Sequence, residues 1–507
     1  MSAVPGPASP GGTHHPSSSD SVVNRALRGV PWTLTAFAVS RGVQLIGTLV
    51  IARLIPPHEI GVVFTGLLII NAFNLISDNG LSISLVVRER VTTRLVNTVF
   101  TLMMGLAVTC VVIVWTLKDP ISKAFGSPRL ADVLPLLSLT IVTSTITWFY
   151  TNMLQREMLW RRRFAGQFAL AVGYVAVAVP CAALGAGVWS MVAGQLAAGL
   201  ASNLVLWRAY PHSVRPGFHK PEARAAVSES RPFMLQAASS FFIENMDFIA
   251  VSSILGPAAM AIYTMAYRLT QLPYQALVQP VSEATLPAYA RLRDDPARSA
   301  STMLGSLRAI LLVALLPLGL LAASASDFVA VILGPHWEGT GPVLAILCIW
   351  GAESVAAGML GWYMMGSGAA RFMGRINLVR FVIVVPLIFT AVLAFSSLEL
   401  VAGVLSLDVG LEMIVMSIYA HHRLHVHFQN LWAAVRTPAA ATVAAVGATL
   451  AARFGLADAG VATGPRFAVE LVAGGATYVG LALLLDHNAI NEMRALARRA
   501  MAREPAS

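Results

Sequence analysis

The sequence predicts an all-α protein that crosses a membrane many times. Hydrophobic residues make up 56% of the chain and charged residues only 12%, about half of the ~25% found in an average soluble domain. The apolar residues are grouped into about fourteen stretches, each close to the ~20 residues with which a helix crosses a bilayer. Lys and Arg residues separate these stretches. Most of the chain must therefore face lipid or other apolar helices, which excludes a soluble globular fold.

The apolar stretches, taken in chain order, define the predicted transmembrane helices. The connections between them are short, and the longest outer ones, near residues 118–132, 325–340 and 453–466, have room for a turn or a small surface helix. No soluble catalytic domain fits in such connections. The predicted spans are residues 29–52, 60–86, 95–117, 133–154, 164–184, 188–207, 232–255, 258–281, 302–324, 341–365, 377–396, 398–420, 437–452 and 467–485.

Both ends of the chain lie outside the predicted spans. Residues 1–20 are rich in Pro, Gly, Ser and His and have no apolar core. Residues 1–24 are therefore predicted to be a disordered arm and not a cleaved signal peptide. Residues 491–507 form a basic tail.

The positive charges predict how the spans are oriented. When connections are assigned alternately to the two sides of the membrane, most of the 35 Lys and Arg residues fall on one side. The positive-inside rule makes that side cytoplasmic and places both termini there. Anionic headgroups then account for the net charge of +10, and no nucleic-acid partner is expected. The positive residues expected outside are Arg53, Lys118, Lys123, Arg129, Arg453 and Arg466, and those expected within spans are Arg41 and Arg268.

An internal repeat predicts two similar lobes. The end of span 1 aligns with the end of span 7, and an even number of spans separates them, so the two lobes would be parallel repeats about an axis normal to the membrane. The predicted units are an N-lobe (25–210), a cytoplasmic linker (211–231), a C-lobe (232–425) and two added spans (426–490). The aligned residues are Leu54, Ile55, Pro57, Ile60 and Gly61 with Ile254, Leu255, Pro257, Met260 and Ala261, and Pro56 with Gly256.

Several short segments resemble a known family. They are Arg28, Gly29 and Trp32, IARLIPPHEIG (51–61), SDNGLSISLV (77–86), NMDFIAVSSILG (245–256), AYRLTQLP (266–273), Pro287 with Asp294-Asp295-Pro296, and LGPHWEGTGPVLAIL (333–347). In order and spacing they resemble the polysaccharide-transport flippases of the multidrug/oligosaccharidyl-lipid/polysaccharide exporter superfamily, over about residues 25–350. The last spans match that family in hydropathy alone.

The resemblance implies both a fold and a function. It implies fourteen helices in the plasma (inner) membrane of a bacterium, arranged as two six-helix lobes plus two C-terminal helices, with rocking of the lobes giving alternating access. Such a protein flips undecaprenyl-diphosphate-linked oligosaccharide repeat units outward for surface polysaccharide assembly. The expected partners are this lipid-linked substrate, membrane lipids, and a polysaccharide polymerase with its export machinery. No cofactor is expected.

Charges inside the spans predict a headgroup site. Arg41 lies ~18 Å into span 1 and Arg268 ~15 Å into span 8, so both are near the midplane. A charge there costs roughly 2.5–3.5 kcal/mol on insertion scales and must face the bundle interior. We expect Arg41 and Arg268, with Gln44, to bind the diphosphate, because guanidinium grips phosphate oxygens in a bidentate fork. Alternatively, Arg268 neutralises Glu244 or Asp247.

Carboxylates are concentrated in the predicted C-lobe and suggest ion coupling. Asp408 and Glu412 share a helix face, where their mutual repulsion favours uptake of H⁺ or Na⁺. The alternative is a set of polar contacts between helices without turnover. The candidate coupling residues are Glu244, Asp247, Glu353, Asp408 and Glu412.

Other polar motifs are given structural roles. Asp294-Asp295 precedes Pro296 and is predicted to be a solvated turn. The histidine-rich segment 421–427 lies at a helix end without a nearby Cys or carboxylate, and the three cysteines lie in different spans without ligand spacing, so no metal site is expected. Trp350, Trp362 and Tyr363 are candidates for sugar stacking or for core packing.

Three other functions stay open at this point. The first is a multidrug or other small-molecule antiporter of the same superfamily. The second is a membrane enzyme such as a polysaccharide polymerase or ligase, which is disfavoured because the outer connections are short and residues 54–59 carry no acidic metal-binding pattern. The third is a membrane scaffold, which has no reason to retain charges at the midplane.

Overall fold

A computed structural model describes residues 40–77, 81, 85, 91–157, 159–210, 214–292, 295–424 and 426–485. All regular elements in these ranges are helical. The predicted N-terminal arm, the start of span 1 and the basic tail lie outside the described residues, as do Arg28, Asp78, Asp294 and His425. The expectations about them stay predictions.

The first half of the described chain contains helices α1 to α6. Proline favours the start of two of these helices. Pro57 and Pro128 lie in the first helical turn, where a backbone N–H has no partner within the helix, so the missing N–H of proline costs nothing there. The start of α3 is capped by Thr92, whose hydroxyl accepts from the Leu95 N–H at 3.2 Å. The helices are α1 (40–54), α2 (Pro57–Ser77), α3 (Thr93–Ala124), α4 (Pro128–Arg156), α5 (Trp160–Ala183) and α6 (Val188–Ala209).

The second half contains less regular helices. Short π-helical turns at Val251–Leu255, Tyr274–Val278 and Val329–Leu333 and a 3₁₀ turn at Pro335–Trp337 interrupt them. The helices are α7 (Lys220–Ala250), α8 (Gly256–Pro273), α9 (Gln279–Arg291), α10 (Pro296–Ala323), α11 (Ala325–Phe328), α12 (Thr340–Gly366), α13 (Ala370–Phe395), α14 (Leu398–Leu424), α15 (Phe428–Asp458) and α16 (Thr463–Leu485).

The chain reverses direction between α7 and α8. Tyr263 donates a hydrogen bond of 2.6 Å to Asp247, although the two residues are 16 positions apart and a straight helix would separate them by about 24 Å. Gly256, at φ 85°, supplies the backbone conformation that such a turn requires. Spans 7 and 8 are therefore an antiparallel pair, as predicted.

The described residues confirm the class of fold. They contain 12 helical segments that are long and apolar enough to cross a membrane. One of these, Ala237–Ser282 of 46 residues, holds both members of the α7–α8 pair, and only residues 40–54 of span 1 are described. The exact number of fourteen spans stays a prediction.

The two halves of the bundle use the same packing scheme. In the first, α4 packs against α2, α3 and α6, and α5 packs against α6. In the second, α12 packs against α8, α10 and α14, and α13 packs against α14. The helices α15 and α16 pack on α10, where the Tyr478 hydroxyl donates to the Leu312 carbonyl at 2.9 Å. This agrees with two parallel repeats and two additional helices.

The lobes meet at one end, where the two copies of the repeated segment touch. Gly61 of α2 lies against Pro257 of α8 so closely that an added Cβ would be 1.6 Å from the Pro257 carbonyl oxygen. Nearby, the fully buried Trp337 donates its indole N–H to the Ala52 carbonyl at 2.7 Å. That carbonyl needs an outside donor because its helical partner, Pro56, has no N–H. We call these contacts the closed end.

Replacing Gly61 by Ala tests the closed end. The added methyl group cannot be accommodated without separating the α2 and α8 backbones, and overpacking of this kind costs about 1–3 kcal/mol. We expect a lower thermal unfolding temperature in detergent.

The matched control is Gly105→Ala in α3, where nothing lies within 4 Å of an added Cβ. Alanine has the higher helix propensity, so this variant should be unchanged or more stable. Equal melting temperatures for the two variants would contradict the close approach of α2 and α8.

Candidate functional site

A cavity of about 340 Å³ lies between the two lobes. Its walls come from α1, α2 and α6 on one side and from α7 and α8 on the other. It extends from Met260, near the closed end, to Asn71 further along α2 and to Gln275 in the π-helical turn after α8. The polar and charged residues that line it are Arg41, Gln44, Thr48, Asn71, Gln195, Asn245, Thr264, Tyr267, Arg268, Gln271 and Gln275.

Arg41 and Gln44 reach the cavity from the same face of α1. They are three residues apart, and the Arg41 Nη1 donates to the Gln44 Oε1 at 3.3 Å. The Arg41 side chain is exposed to the cavity. The structure thus brings together all three residues of the predicted headgroup site, because Arg268 lines the same cavity from α8.

Arg268 is held by an aromatic ring and not by a carboxylate. Its guanidinium carbon lies 4.4 Å from the centroid of the Phe64 ring, within the range of a cation–π contact. The alternative pairing with Glu244 or Asp247 is absent among the described residues, and Asp247 instead accepts the hydrogen bond from Tyr263. Arg268 thus lines the cavity without an acidic partner in the described part of the chain.

The described lining of the cavity contains two cations and no carboxylate. Arg41 belongs to the first lobe and Arg268 to the second. In surroundings of low dielectric constant, two like charges facing one space repel each other, and an anion between them relieves the repulsion. The arrangement therefore favours an anionic ligand that contacts both lobes.

A second charged group lies inside the C-lobe, where Arg380 binds both Asp408 and Glu412. Its Nε and Nη2 donate to the two Asp408 oxygens at 2.8 and 2.5 Å, and its Nη1 is 2.5 Å from Glu412. The expected repulsion between the two carboxylates is thus offset by a cation between them. Sequence analysis assigned Arg380 to the inner side, but it lies about 15 Å into α13. Because residue 380 falls within predicted span 377–396, the sequence alone could have indicated that Arg380 lies inside a helix and not in a connection.

The other candidate coupling residues are distributed over the C-lobe. Glu353 packs beside Gly410, at the level of α14 between Asp408 and Glu412, and its Oε2 is buried without a hydrogen-bond partner in the described residues. Asp247 is buried against Tyr263, and Glu244 lies on an exposed part of α7. The described residues contain no group of three or more His, Cys, Asp or Glu residues placed to hold a metal.

The aromatic candidates pack in the core. Trp350 and Tyr363 are buried, and neither they nor Trp362 are among the cavity-lining residues. The aromatic rings that line the cavity are Phe64, Phe248 and Tyr267, and Tyr267 lies against Trp350 with ring centroids 4.6 Å apart and planes tilted by 33°. Sequence reasoning missed Tyr267, although it precedes Arg268 directly.

Another ion-pair group joins the added helices to the C-lobe. Arg466 of α16 donates to both oxygens of Asp327 at 2.8 and 2.7 Å, and Arg453 of α15 approaches the same carboxylate at 3.9 Å. Burial opposes ionisation of Asp327, but the Arg466 contacts outweigh it and hold the Asp327 pKa below its usual value. Both arginines were expected outside, which stays a prediction, and in the structure they join α15 and α16 to α11.

Comparison with known proteins identifies the family. Residues 50–342 match the family model described as "Polysaccharide biosynthesis protein". The chain belongs to this family. The match covers the lobe junction, the cavity helices α2 and α8 and most of the predicted family segments, so the resemblance stated from the sequence is confirmed.

Individual relatives and a solved structure agree with this assignment. The chain is 23% identical to the lipopolysaccharide biosynthesis protein WzxC of Escherichia coli, over 81% of this chain and 85% of that protein. It is 24% identical to the succinoglycan biosynthesis transport protein ExoT of Rhizobium meliloti, over 64% of this chain and 65% of that protein. Its fold resembles the lipid II flippase MurJ in an inward closed conformation, with a TM-score of 0.73, 12% identity, and coverage of 90% and 99% of the two chains.

Replacing Arg380 tests the ion-pair group in the C-lobe. Arg380→Met leaves Asp408 and Glu412 without their cation, and breaking a buried pair in this way costs about 3–5 kcal/mol. We expect a strongly lowered melting temperature in detergent.

The triple variant Arg380→Met, Asp408→Leu, Glu412→Leu serves as the control. It removes the whole charged group, which is often neutral for stability, so it should melt near the unmodified protein. A single variant as stable as the unmodified protein would show that Arg380 is not needed to offset these carboxylates.

Proposed function

We propose that this protein translocates an undecaprenyl-diphosphate-linked oligosaccharide repeat unit across the bacterial plasma membrane for surface polysaccharide synthesis. The observation that carries the proposal is the cavity between the lobes, with two arginines and no carboxylate in its described lining. The names of the relatives support it, since they are polysaccharide biosynthesis proteins and one is a transport protein. Transport and not catalysis is the function that these observations favour.

The two arginines act as the contacts for the diphosphate. Guanidinium keeps its charge inside the membrane region and presents several donors in a plane that matches phosphate oxygens. A diphosphate held between Arg41 and Arg268 neutralises charge on both lobes at once. The lipid tail stays in hydrocarbon, so only the headgroup and its sugars need the polar cavity.

Translocation then requires the closed end to open. By the positive-inside rule the closed end faces outward and the termini face the cytoplasm, so the described state receives cargo from inside. Rocking of the lobes separates Gly61 from Pro257 and releases Trp337 from Ala52, which exposes the cavity outward. A polymerase and its export machinery on the outer face would take up the product.

The charge of the cavity also weighs against a multidrug antiporter. Organic cations are held by carboxylates and aromatic rings, whereas here cations face the ligand. An antiporter would confer drug efflux and would need no polyprenyl cargo.

Replacing Arg41 or Arg268 by Gln tests the headgroup site. Each change removes a charged hydrogen-bond donor from the diphosphate, so we expect export of the lipid-linked repeat unit to fall about tenfold or more. Inward-facing lipid-linked oligosaccharide should accumulate, as measured by extraction from cells that carry the variant as their sole copy.

Arg208→Gln is the control, because Arg208 is exposed at the end of α6 and does not line the cavity. It should export normally. Normal export by Arg41→Gln protein that is present at the usual level in the membrane would refute the proposed site.

We also propose that the C-lobe carboxylates couple transport to an ion gradient. Asp408 and Glu412 share one guanidinium, and the partly unsatisfied Glu353 lies beside them. This leaves excess negative charge in one region, which an H⁺ or Na⁺ can neutralise. Glu244 and Asp247 would be further sites along the same lobe.

Neutralising the pair tests coupling. In liposomes, the unmodified protein should flip its cargo faster when a proton or sodium gradient is imposed. Asp408→Asn with Glu412→Gln should abolish the response to the gradient while the protein still binds cargo at Arg41 and Arg268. If the double variant responds as strongly as the unmodified protein, the coupling site lies elsewhere.

A further inference from the structure

A chain of hydrogen bonds runs along the cavity face of α8 and into the π-helical turn that follows it, next to Arg268. Gln275 Nε2 donates to Gln271 Oε1 at 2.7 Å, and Gln271 Nε2 donates to the Tyr267 hydroxyl at 3.2 Å. All three residues line the cavity and are half-buried. We call Tyr267, Gln271 and Gln275 the polar ladder.

The ladder is held rigidly at its Tyr267 end. The Tyr267 ring lies against Trp350 with centroids 4.6 Å apart and planes tilted by 33°, and it meets Phe248 edge-on at 4.9 Å. The hydrogen bonds along the helix then fix the orientation of the Gln271 side chain and, through it, of the Gln275 side chain. Groups that are already ordered lose less conformational entropy when they bind a ligand, so the ladder is suited to recognition.

The position of the ladder relates it to the diphosphate site. Arg268 and Gln275 lie on the same cavity wall, and the helical chain from α8 into the following turn rises about 10 Å between them. The ladder leads away from the closed end, since α8 begins at Gly256 beside the Gly61–Pro257 contact. A headgroup whose phosphates reach Arg268 can therefore lay the groups attached to its phosphate along Gln271 and Gln275.

We propose that the polar ladder binds the hydroxyl groups of the cargo's sugars and sets which glycan is preferred. This deepens the proposed function and rests on it. Each glutamine amide has two donors and two acceptor lone pairs, and the bonds within the ladder leave a donor on both amides and the Oε1 of Gln275 for a ligand. Neighbouring hydroxyls on a pyranose ring present the complementary alternation of donors and acceptors.

The ladder also explains why neutral amides, and not charges, follow Arg268. A sugar hydroxyl lost from the cargo would leave a partly buried amide without a partner, and sites of this kind discriminate strongly against ligands that lack the group. On the opposite wall, Asn71 and Gln195 add further amides. The amides of Gln271 and Gln275 thus extend the cavity wall beyond Arg268, on the side away from the closed end.

The test compares two probes that share a diphosphate but differ in sugar. One is farnesyl diphosphate, and the other is the lipid-linked oligosaccharide extracted from the membranes of the source cells. Binding of each to the purified full-length protein in detergent is measured by equilibrium dialysis. The variants are Gln271→Met with Gln275→Met, which keep length and helix propensity, and Gln275→Asn, which keeps the amide but shortens its reach.

We expect the double variant to lose about tenfold in its preference for the sugar-bearing lipid over farnesyl diphosphate, as removal of two neutral hydrogen bonds implies. Gln275→Asn should lose less. Gln429→Met, on an exposed position of α15, is the control and should not change the preference. Arg268→Gln should weaken the binding of both probes by a similar factor.

Two results would overturn the inference while leaving the diphosphate site in place. In the first, the double variant binds both probes more weakly by the same factor. In the second, it binds both probes as the unmodified protein does. In each case Arg268→Gln still weakens the binding of both probes. If Arg268→Gln instead leaves both probes unaffected, the proposed function itself fails.

Discussion

A charge or an unsatisfied polar group inside a bilayer must find a partner or face a wet space, and this constraint organises the whole protein. Arg380 satisfies it by binding Asp408 and Glu412 between α13 and α14. Asp247 satisfies it through Tyr263. Arg268 lies against the Phe64 ring, lines the cavity and forms no ion pair with a carboxylate in the part of the chain that the structure describes. In the proposed function, the charged groups that line the cavity bind the cargo, so the same rule that stabilises the bundle also points to the proposed site.

The two lobes solve this problem differently, although they share a packing scheme. The first contributes Arg41 and amides to the cavity wall, whereas the second also carries several carboxylates behind that wall. In the proposed function, an anionic cargo would meet cations from both lobes, and a small cation would meet carboxylates in one. This separation would keep the two ligands apart while both act on the α7, α8, α13 and α14 region. It gives a physical basis for linking cargo movement to an ion gradient.

The junction of the lobes depends on backbone chemistry. Pro56 and Pro57 end α1 and start α2, and their missing N–H groups leave carbonyls of α1 without helical partners. Trp337, from the connection after α10, satisfies one of these at Ala52, and Arg53 in turn donates to the Val331 carbonyl at 2.7 Å. The contact is specific but small, so it can break and re-form as the lobes move. Gly61 is required because only a residue without a side chain allows α2 to approach Pro257.

Composition and charge pattern determined the membrane class and the order of the spans. Long apolar stretches have no stable environment other than a membrane, and each stretch can be recognised from its own residues. The match between residues 54–61 and 254–261 likewise indicated two lobes, since equivalent helices retain equivalent ends. Depth along a helix was enough to select Arg41 and Arg268. Partners were not predictable in this way: the pairing of Arg380 with Asp408 and Glu412, the ring under Arg268 and the ladder from Tyr267 to Gln275 depend on which helix faces bring side chains together. Helix length and hydropathy are local properties of a sequence. Which face of a helix contacts which neighbour is decided by the packing of all the helices at once.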